Sequence, residues 1–155
     1  MDIKETIIRL SEAFGTSGRE DGAAQTALEL LREFVPDAEF TNGNVIGTLK
    51  GGKTSILLDA HIDQVGFVVT SVTDDGFIRF NELGGIDRRL LPAQPVLVHG
   101  SKIIPAVICS MPPHLSDGDE VLTFDKAAID TGYSKEELEQ IVSPGDAITF
   151  EVRCR

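Results

Sequence analysis

The hydrophobic pattern of the chain changes near Gly66, from mainly helical spacing to mainly short strands, and this change limits the folds that are open to it. Before Gly66, apolar side chains recur at helical spacing on one face: Ile3, Ile7, Leu10 and Phe14. After Gly66, short apolar stretches alternate with turn sequences, as in FVVTSV, FIRF and PVLVHG. A helical beginning and a strand-rich remainder predict a mixed α/β architecture, with the later strands curled into a small barrel or sandwich.

The first sixty residues also predict a second helix and an interior strand. Ser17 and Glu20 have the spacing of a capping box, which marks a helix start. Four apolar side chains of this helix are expected to point inward before Pro36 ends it: Ala24, Leu28, Leu31 and Val35. The run TSILLDA, residues 54–60, is too apolar for a strand with one wet face, so it predicts an interior strand.

The remainder of the chain contains one clear helical pattern. The sequence SKEELEQIV, residues 134–142, begins with a second capping-box pair, Ser134 and Glu137. The segment after it, SPGDAITFEVRCR, predicts a turn and one more strand.

Charge and cysteine content exclude several classes of function. The 155 residues include 25 Asp and Glu against 14 Lys and Arg, a net charge of -11, which disfavours binding to nucleic acid or an anionic membrane. No stretch approaches the roughly 20 apolar residues that span a bilayer, and the charged start does not resemble a secretory signal. We therefore predict a cytoplasmic protein. Cys109 and Cys154 fit neither a disulfide framework nor a metal clip, so two buried free thiols are expected.

The stretch LLDAHIDQVGF, residues 57–67, places His61 and Asp63 where an apolar run gives way to a glycine. Side chains at i and i+2 of a strand point to the same side, so both are expected at the carboxyl end of the interior strand, where α/β sheets place ligand sites. A neutral imidazole is a common ligand for zinc, and a carboxylate often orients it. Spacing alone also fits a hydrogen-bonded pair with no metal.

Six segments carry a resemblance that favours the metal site. In order, they are SEAFGTSGRED, GNVIG, LLDAHIDQVGF, DDGFIRFNELGGIDRR, PPHL and IDTGYSKEELEQIVSPGDAITF. Together they resemble the N-terminal part of the tetrahedral metallo-aminopeptidases, the glutamyl or deblocking aminopeptidases, some of which are labelled cellulase or endoglucanase M. The resemblance is collinear over nearly the whole chain.

This resemblance implies an α/β catalytic-domain fragment with a small inserted β-barrel-like domain. Residues 1–63 correspond to the start of the catalytic domain, and residues 64–155 to a β-rich domain that serves assembly and substrate access. The family hydrolyses N-terminal residues from peptides with two divalent metal ions, zinc or cobalt, and forms homo-oligomers. Carried over by position, His61 is the first metal ligand and Asp63 is the catalytic-site carboxylate that orients it.

Two positions depart from the family pattern, and several functional residues are missing. Gln64 stands where glutamate is usual, and Pro105-Ala106 stands where a glycine is common. The resemblance places the bridging aspartate, the Glu-Glu pair with the general base, a further acidic ligand and the last histidine after residue 155. We therefore expect a truncated chain, a proteolytic product or one half of a split gene, which is inactive without a C-terminal half.

Other polar residues favour structural roles. His114 in PPHL is expected to be a hydrogen-bonded structural histidine, and His99 a solvated turn residue. The DDG at 74–76 lacks the spaced oxygen ligands of a calcium loop and predicts a hairpin turn. The acidic residues Asp117, Asp119 and Glu120 predict a solvated loop. The GGIDR at 84–88 predicts a tight backbone corner.

Three functions from different classes stay open at this point. The first is a two-metal aminopeptidase, to which this chain supplies one ligand. The second is a stand-alone β-rich binding or oligomerisation module. The third is a glycoside hydrolase, which requires two facing carboxylic acids that the sequence does not reveal.

Overall fold

The computed structural model describes residues 2–109, 122–151 and 153–154, and it separates the chain into two compact units. The helical unit comprises Met1–Gln64 together with Arg153–Arg155, and the barrel unit comprises Val65–Val152. Helices and sheets are both present, and the change of period near Gly66 coincides with the change of unit. The mixed architecture with a small curled sheet is therefore confirmed.

The helical unit begins with two helices, α1 (Ile3–Glu12) and α2 (Asp21–Arg32). The Asp2 carboxylate caps α1 by accepting a hydrogen bond from the Lys4 amide at 2.9 Å. The α2 helix buries Ala24 and Leu28 of its predicted inward face, but it ends at Arg32 rather than at Pro36, so Val35 joins the same small core from beyond the helix. Both helices were predicted from periodicity, although the apolar face of α1 stays largely exposed.

A short hairpin follows α2, made of β1 (Glu39–Thr41) and β2 (Asn44–Ile46). Asn42 and Gly43 both have positive φ angles, 50° and 78°, as a two-residue turn of this hand requires. The partly buried Val45 of β2 packs on the core beneath α2. The hairpin thus completes the small core of the helical unit.

The predicted start of the second helix is wrong. Ser17 and Gly18 lie in a turn closed by the Arg19 amide, which donates to the Thr16 carbonyl at 2.8 Å, and Gly18 has a φ of 83°. The N-cap of α2 is Glu20, without a side-chain cap bond. A residue with positive φ at position 18 is incompatible with helical backbone, so the capping box cannot form.

The predicted interior strand over residues 54–60 is also wrong. This segment has no strand conformation, and Ile56, Leu57 and Leu58 are 82%, 89% and 92% exposed. A strand forms only where neighbours accept and donate its backbone hydrogen bonds, and β1 and β2 pair only with each other. The apolar run therefore lacks a sheet to enter among the described residues.

The barrel unit is a closed six-stranded antiparallel barrel. Its strands in chain order are β3 (Gly66–Val72), β4 (Ile78–Leu83), β5 (Pro95–His99), β6 (Ile103–Cys109), β7 (Ala128–Asp130) and β8 (Ala147–Phe150). Around the barrel the order is β3-β4-β7-β6-β5-β8, and β8 returns to pair with β3. Four of these strands, β3, β4, β5 and β8, correspond to apolar segments noted in the sequence.

Alternation of side chains fills the barrel. In β6, Ile104, Ala106 and Ile108 point into the core, whereas the residues between them are exposed. Phe67 lies at the centre, with ring centroids 5.1 Å from those of Phe80 and Phe150 in edge-to-face geometry. This core belongs to the barrel unit alone.

The third helix, α3 (Lys135–Leu138), confirms the second capping box. The Ser134 hydroxyl accepts from the Glu137 amide, and the Glu137 carboxylate accepts from the Ser134 amide. The helix is shorter than predicted because residues 139–141 form turns, but Leu138 and Val142 still reach the barrel core.

Pro105-Ala106, which departs from the family pattern, fits the barrel without distortion. Pro105 pairs with Leu97 of β5, and β7 pairs with β6 only from Val107 onward. The missing amide hydrogen of the proline therefore lies on a stretch of strand with one neighbour. Ala106 fills an inward position.

A tight backbone contact requires a residue without a side chain at Gly100, in the turn between β5 and β6. A Cβ atom on Gly100 would lie 2.1 Å from the Ile141 carbonyl oxygen, whereas one on Gly85 would meet no atom within 4 Å. Gly100→Ala should lower the free energy of unfolding by about 1–3 kcal/mol, since backbone must move to accept it. The control Gly85→Ala should change it by less than about 0.5 kcal/mol. Equal urea midpoints for the two variants would contradict this packing.

Candidate functional site

The structure brings His61 and Asp63 together, although neither lies in a strand. The His61 Nδ1 atom is 3.1 Å from Asp63 Oδ1 and 3.2 Å from the Asp63 backbone oxygen. The predicted pair is therefore present, but it lies on a segment without regular secondary structure rather than at the end of an interior strand. The sequence spacing was a sufficient guide to the contact, and the reason given for it was wrong.

Ser17 also belongs to the candidate site, and sequence reasoning did not place it there. Its Oγ donates a hydrogen bond of 2.5 Å to Asp63 Oδ2, the carboxylate oxygen that His61 does not use. The two residues are 46 positions apart, and Ser17 had been interpreted as a helix cap. A serine before a predicted helix gives no local signal for such a distant partner.

Hydrogen bonds to both of its oxygens stabilise the ionised form of Asp63. The Ser17 hydroxyl, and after it the His61 ring, hold the pKa of the Asp63 carboxyl below its ordinary value. Because both atoms that face His61 Nδ1 are oxygen acceptors, the neutral ring carries its proton on Nδ1. The Nε2 lone pair is then available, on a side chain that is 87% exposed.

Backbone contacts hold the loop that carries Ser17. The Gln64 amide donates to the Gly15 carbonyl at 2.8 Å, and the Gln64 side-chain Nε2 donates to the Ala13 carbonyl at 3.0 Å. Thr16 between them is fully buried and forms a parallel bridge with Gln64. The loop 13–17 is thus fastened to the segment 63–64 independently of the Ser17 side chain.

A groove of about 670 Å³ lies beside His61 within the helical unit. Its walls are mainly apolar and come from α1, α2 and the residues just after it, β2 and the segment 58–62. They include Leu30, Leu31, Phe34, Val45, Leu58 and Ile62. His61 and Asp59 supply its charged or ionisable side chains. Among the described residues, no group of three or more His, Cys, Asp or Glu is arranged to hold a metal ion. The pair therefore offers one nitrogen ligand and its orienting carboxylate.

His99 is not the solvated turn residue that was predicted. It is the last residue of β5 and is partly buried, with Nε2 2.9 Å from the Thr149 hydroxyl of β8. Burial lowers the pKa of His99. The following Gly100 suggested a turn, but the ladder between β5 and β8 extends through His99.

The remaining turn predictions are confirmed where the structure describes them. Residues 73–76 form the hairpin turn between β3 and β4, and Asp74 there pairs with Lys135. The corner at 84–88 has a positive φ at Gly84, and Asp87 pairs with Arg89, which lowers the pKa of Asp87 to about 2. His114, Asp117, Asp119 and Glu120 lie outside the described residues.

The two cysteines are free, as predicted, but neither is buried, contrary to the prediction. Cys109 is partly exposed at the end of β6, and Cys154 is exposed. The Cys154 amide donates to the Glu12 carboxylate at 2.9 Å in the helical unit. Within the part of the chain that the structure describes, no helix has the length and apolar character needed to cross a bilayer.

Comparison with known proteins gives a consistent family. Residues 43–155 match the family model described as M42 glutamyl aminopeptidase. The glutamyl aminopeptidase of Lactococcus lactis is 31% identical over 127 residues, which cover 78% of this chain and 36% of that protein. Curated relatives are matched over 36% to 44% of their own length.

Solved structures show the same fold. The TET1 peptidase of Pyrococcus horikoshii, which can assemble into a tetrahedron or a large octahedral shell, superposes with a TM-score of 0.83 at 35% identity. That match covers 95% of this chain and 46% of the other. A Thermotoga maritima protein described as an endoglucanase superposes with a TM-score of 0.73 at 32% identity, over 93% and 44% of the two chains.

The matched residues include the His61 and Asp63 pair, the hairpin β2 strand and the whole described barrel, so the likeness extends over both units. On the extent of this match, the chain belongs to the M42 glutamyl aminopeptidase family.

Proposed function

We propose that this chain forms the first part of a two-metal aminopeptidase, in which His61 is a metal ligand and Asp63 orients it. The observation that carries the proposal is the paired geometry: Nδ1 is bound to a carboxylate, and Nε2 is left available on an exposed ring. A ligating histidine usually donates its other ring proton to a carboxylate or carbonyl in this manner. Family membership supplies the reaction class.

The residues present are suited to a divalent metal such as zinc or cobalt: His61 would be one ligand, and Asp63 would orient it. An imidazole nitrogen suits both metals, and the carboxylate fixes the tautomer that leaves Nε2 unprotonated. When bound, the metal pair supplies Lewis-acid polarisation of the scissile carbonyl group of a peptide. His61 would hold one ion at Nε2, and Asp63 would keep the ring oriented by retaining the proton on Nδ1.

We also propose that the barrel unit, Val65–Val152, which makes up most of the expected range 64–155, is a domain inserted into the catalytic domain, which begins with residues 1–63. Support comes from the composition of the helical unit, which takes in residues on both sides of the barrel unit: those up to Gln64 and those from Arg153 onward. The barrel also has its own core. A domain with its own core, whose two chain ends lie close together, can be inserted into a surface loop of another domain.

The activity of the longer protein is part of this proposal, because the chain spans less than half the length of its relatives. The general base and the remaining ligands would come from the part of the family that lies after the matched residues. We therefore propose peptides as the substrate class, a C-terminal half as the partner that completes the site, and a homo-oligomer as the working state. A cytoplasmic location remains a prediction from composition.

A second candidate is an oligomerisation module whose working part is the barrel. The closed sheet and its separate core favour this reading, since such a unit needs no further strands. Assembly of the TET1 peptidase into shells is a property of that protein, and it makes the same role reasonable here. The two candidates differ in which surface should associate.

The first prediction from this proposal concerns metal affinity. With one imidazole ligand, the 155-residue chain should bind zinc or cobalt weakly and reversibly, because closed coordination is what gives protein sites high affinity. Calorimetry should show that His61→Ala weakens this binding and that His99→Gln, which removes an imidazole from the barrel unit, does not. Tight stoichiometric binding that His61→Ala abolishes would mean that further ligands are present.

The second prediction concerns assembly of the isolated chain. Apolar side chains at 56–58 are more than 80% exposed, and contiguous apolar surface of this kind tends to find partners. We expect a dimer or larger species by light scattering, and Leu57→Asp should shift it toward monomer. Ile103→Asp, at a 61% exposed position on the outside of the barrel, is the matched control. If only Ile103→Asp dissociates the species, association occurs through the barrel, as the second candidate requires.

The third prediction concerns catalysis. The 155-residue chain alone should not cleave peptides, because parts that act on one transition state are strongly non-additive. A protein that continues this sequence over the full family length should release N-terminal residues from short peptides with zinc or cobalt. In it, His61→Ala should abolish activity, and Asp63→Asn should cost about 10- to 100-fold. Hydrolysis of cello-oligosaccharides in place of peptides would instead support the glycosidase alternative.

A further inference from the structure

We propose that Ser17 is a positioning residue for His61 and acts on it through Asp63; as a role in catalysis, this rests on the proposed function. Ser17 Oγ donates to Asp63 Oδ2, and Asp63 Oδ1 accepts from His61 Nδ1. The three side chains Ser17, Asp63 and His61 are thus joined by two consecutive hydrogen bonds, which we call the relay. The relay lies wholly within the helical unit. Ser17 does not reach the ring itself.

The geometry restrains the carboxylate at both of its oxygens. A carboxylate that is bonded at Oδ1 alone can rotate about its Cβ–Cγ bond, and its broad torsional profile resists this only weakly. The second bond, to Ser17, keeps Oδ1 directed at Nδ1. Asp63 is 37% exposed, so water competes for these oxygens, and a fixed hydroxyl at 2.5 Å reduces that competition.

The loop that carries Ser17 is placed by contacts that do not involve its hydroxyl. Gly15 and Ala13 each accept a hydrogen bond from Gln64, and Thr16 is buried against the same segment. The Gln64 side chain can make its bond because an amide donates a proton, whereas the carboxylate usual in the family at this position cannot. Removal of the Ser17 hydroxyl should therefore leave the loop in place and affect the relay alone.

Loss of the hydroxyl should change the tautomer of His61. With the Asp63 carboxylate free to rotate, only the Asp63 backbone oxygen, 3.2 Å from Nδ1, favours the proton on Nδ1, so the neutral ring populates the form protonated on Nε2 to a greater extent. That form has no lone pair on Nε2 and cannot ligate a metal there. The effect is therefore visible in the chain without metal, and it also weakens metal binding.

The test compares three serine variants of the 155-residue chain. Nitrogen-15 spectra of the imidazole groups, recorded at about pH 8.5 where an imidazole is neutral, report the tautomer of His61. Ser17→Ala should shift His61 toward the Nε2-protonated form, and Ser17→Thr, which keeps a hydroxyl, should restore the original spectrum. Ser11→Ala, at an exposed serine of α1, is the control for the same chemical change and should have no effect.

Zinc affinity of the same variants provides a second measurement. Calorimetry should show a dissociation constant about 3- to 10-fold higher for Ser17→Ala, the range expected for one hydrogen bond, and an unchanged constant for Ser11→Ala. Amide spectra of each variant establish that the fold is retained. If Ser17→Ala matches Ser11→Ala in tautomer and in affinity, or if Ser17→Thr fails to restore a shifted spectrum, the inference is wrong.

This result is separable from that of the proposed function. Should the full-length protein fail to cleave peptides while Ser17→Ala still shifts the His61 tautomer, the aminopeptidase proposal is wrong and the relay from Ser17 to His61 stands. Should the full-length protein cleave peptides while the tautomer is indifferent to position 17, the positioning role of Ser17 is wrong.

Discussion

The barrel unit depends on the pairing of one short strand, β8, with both β3 and β5. Without β8, the sheet would present two open edges and the inner face of Phe67 would meet water. Closure removes those edges, which are otherwise sites of non-specific pairing, and encloses the aromatic cluster on Phe67. Since β8 lies about 80 residues after β3 in the chain, the whole unit must be present for its core to form.

The helical unit is organised differently, around short loops and few buried side chains. Its core is small, and the apolar segment 54–58 contributes nothing to it. The candidate site nevertheless has defined geometry, because hydrogen bonds from Gln64 hold loop 13–17 against residues 63–64 and place the Ser17 hydroxyl beside Asp63. Polar contacts between two loops therefore position the site, a role that the sequence analysis assigned to a buried strand.

The partial match to relatives and the exposed apolar segment 54–58 both bear on how the proposed site is completed. The chain matches its relatives over 36% to 44% of their length, and the match includes His61 and Asp63. The proposed catalytic chemistry needs ligands and a general base that the described residues do not bring to His61. In our proposal a C-terminal half completes the metal site, and the exposed side chains of Ile56, Leu57 and Leu58 are the surface through which the isolated chain associates.

The sequence by itself determined the elements whose causes are local. Periodicity located α1, α2 and most barrel strands, the Ser134 and Glu137 pair marked α3, and the spacing of His61 and Asp63 foretold their contact. These features depend on neighbours within a few residues, which the sequence displays directly. The family resemblance was also predicted from the sequence, through several motifs in order, and the match over residues 43–155 confirmed it.

Only the tertiary structure decided the features that depend on distant partners. Ser17 bonds a carboxylate 46 residues away instead of a helix, and His99 is drawn into the β5–β8 ladder although a glycine follows it. Residues 54–58 remain outside any sheet because no strand among the described residues is available to pair with them. Their hydrophobicity indicates that burial would be favourable, but it does not indicate whether such a strand exists. For Ser17 and His99 the stabilising group lies far along the chain, and for residues 54–58 the strands that would pair with them are not among the described residues; a sequence pattern does not reveal which distant groups are in reach.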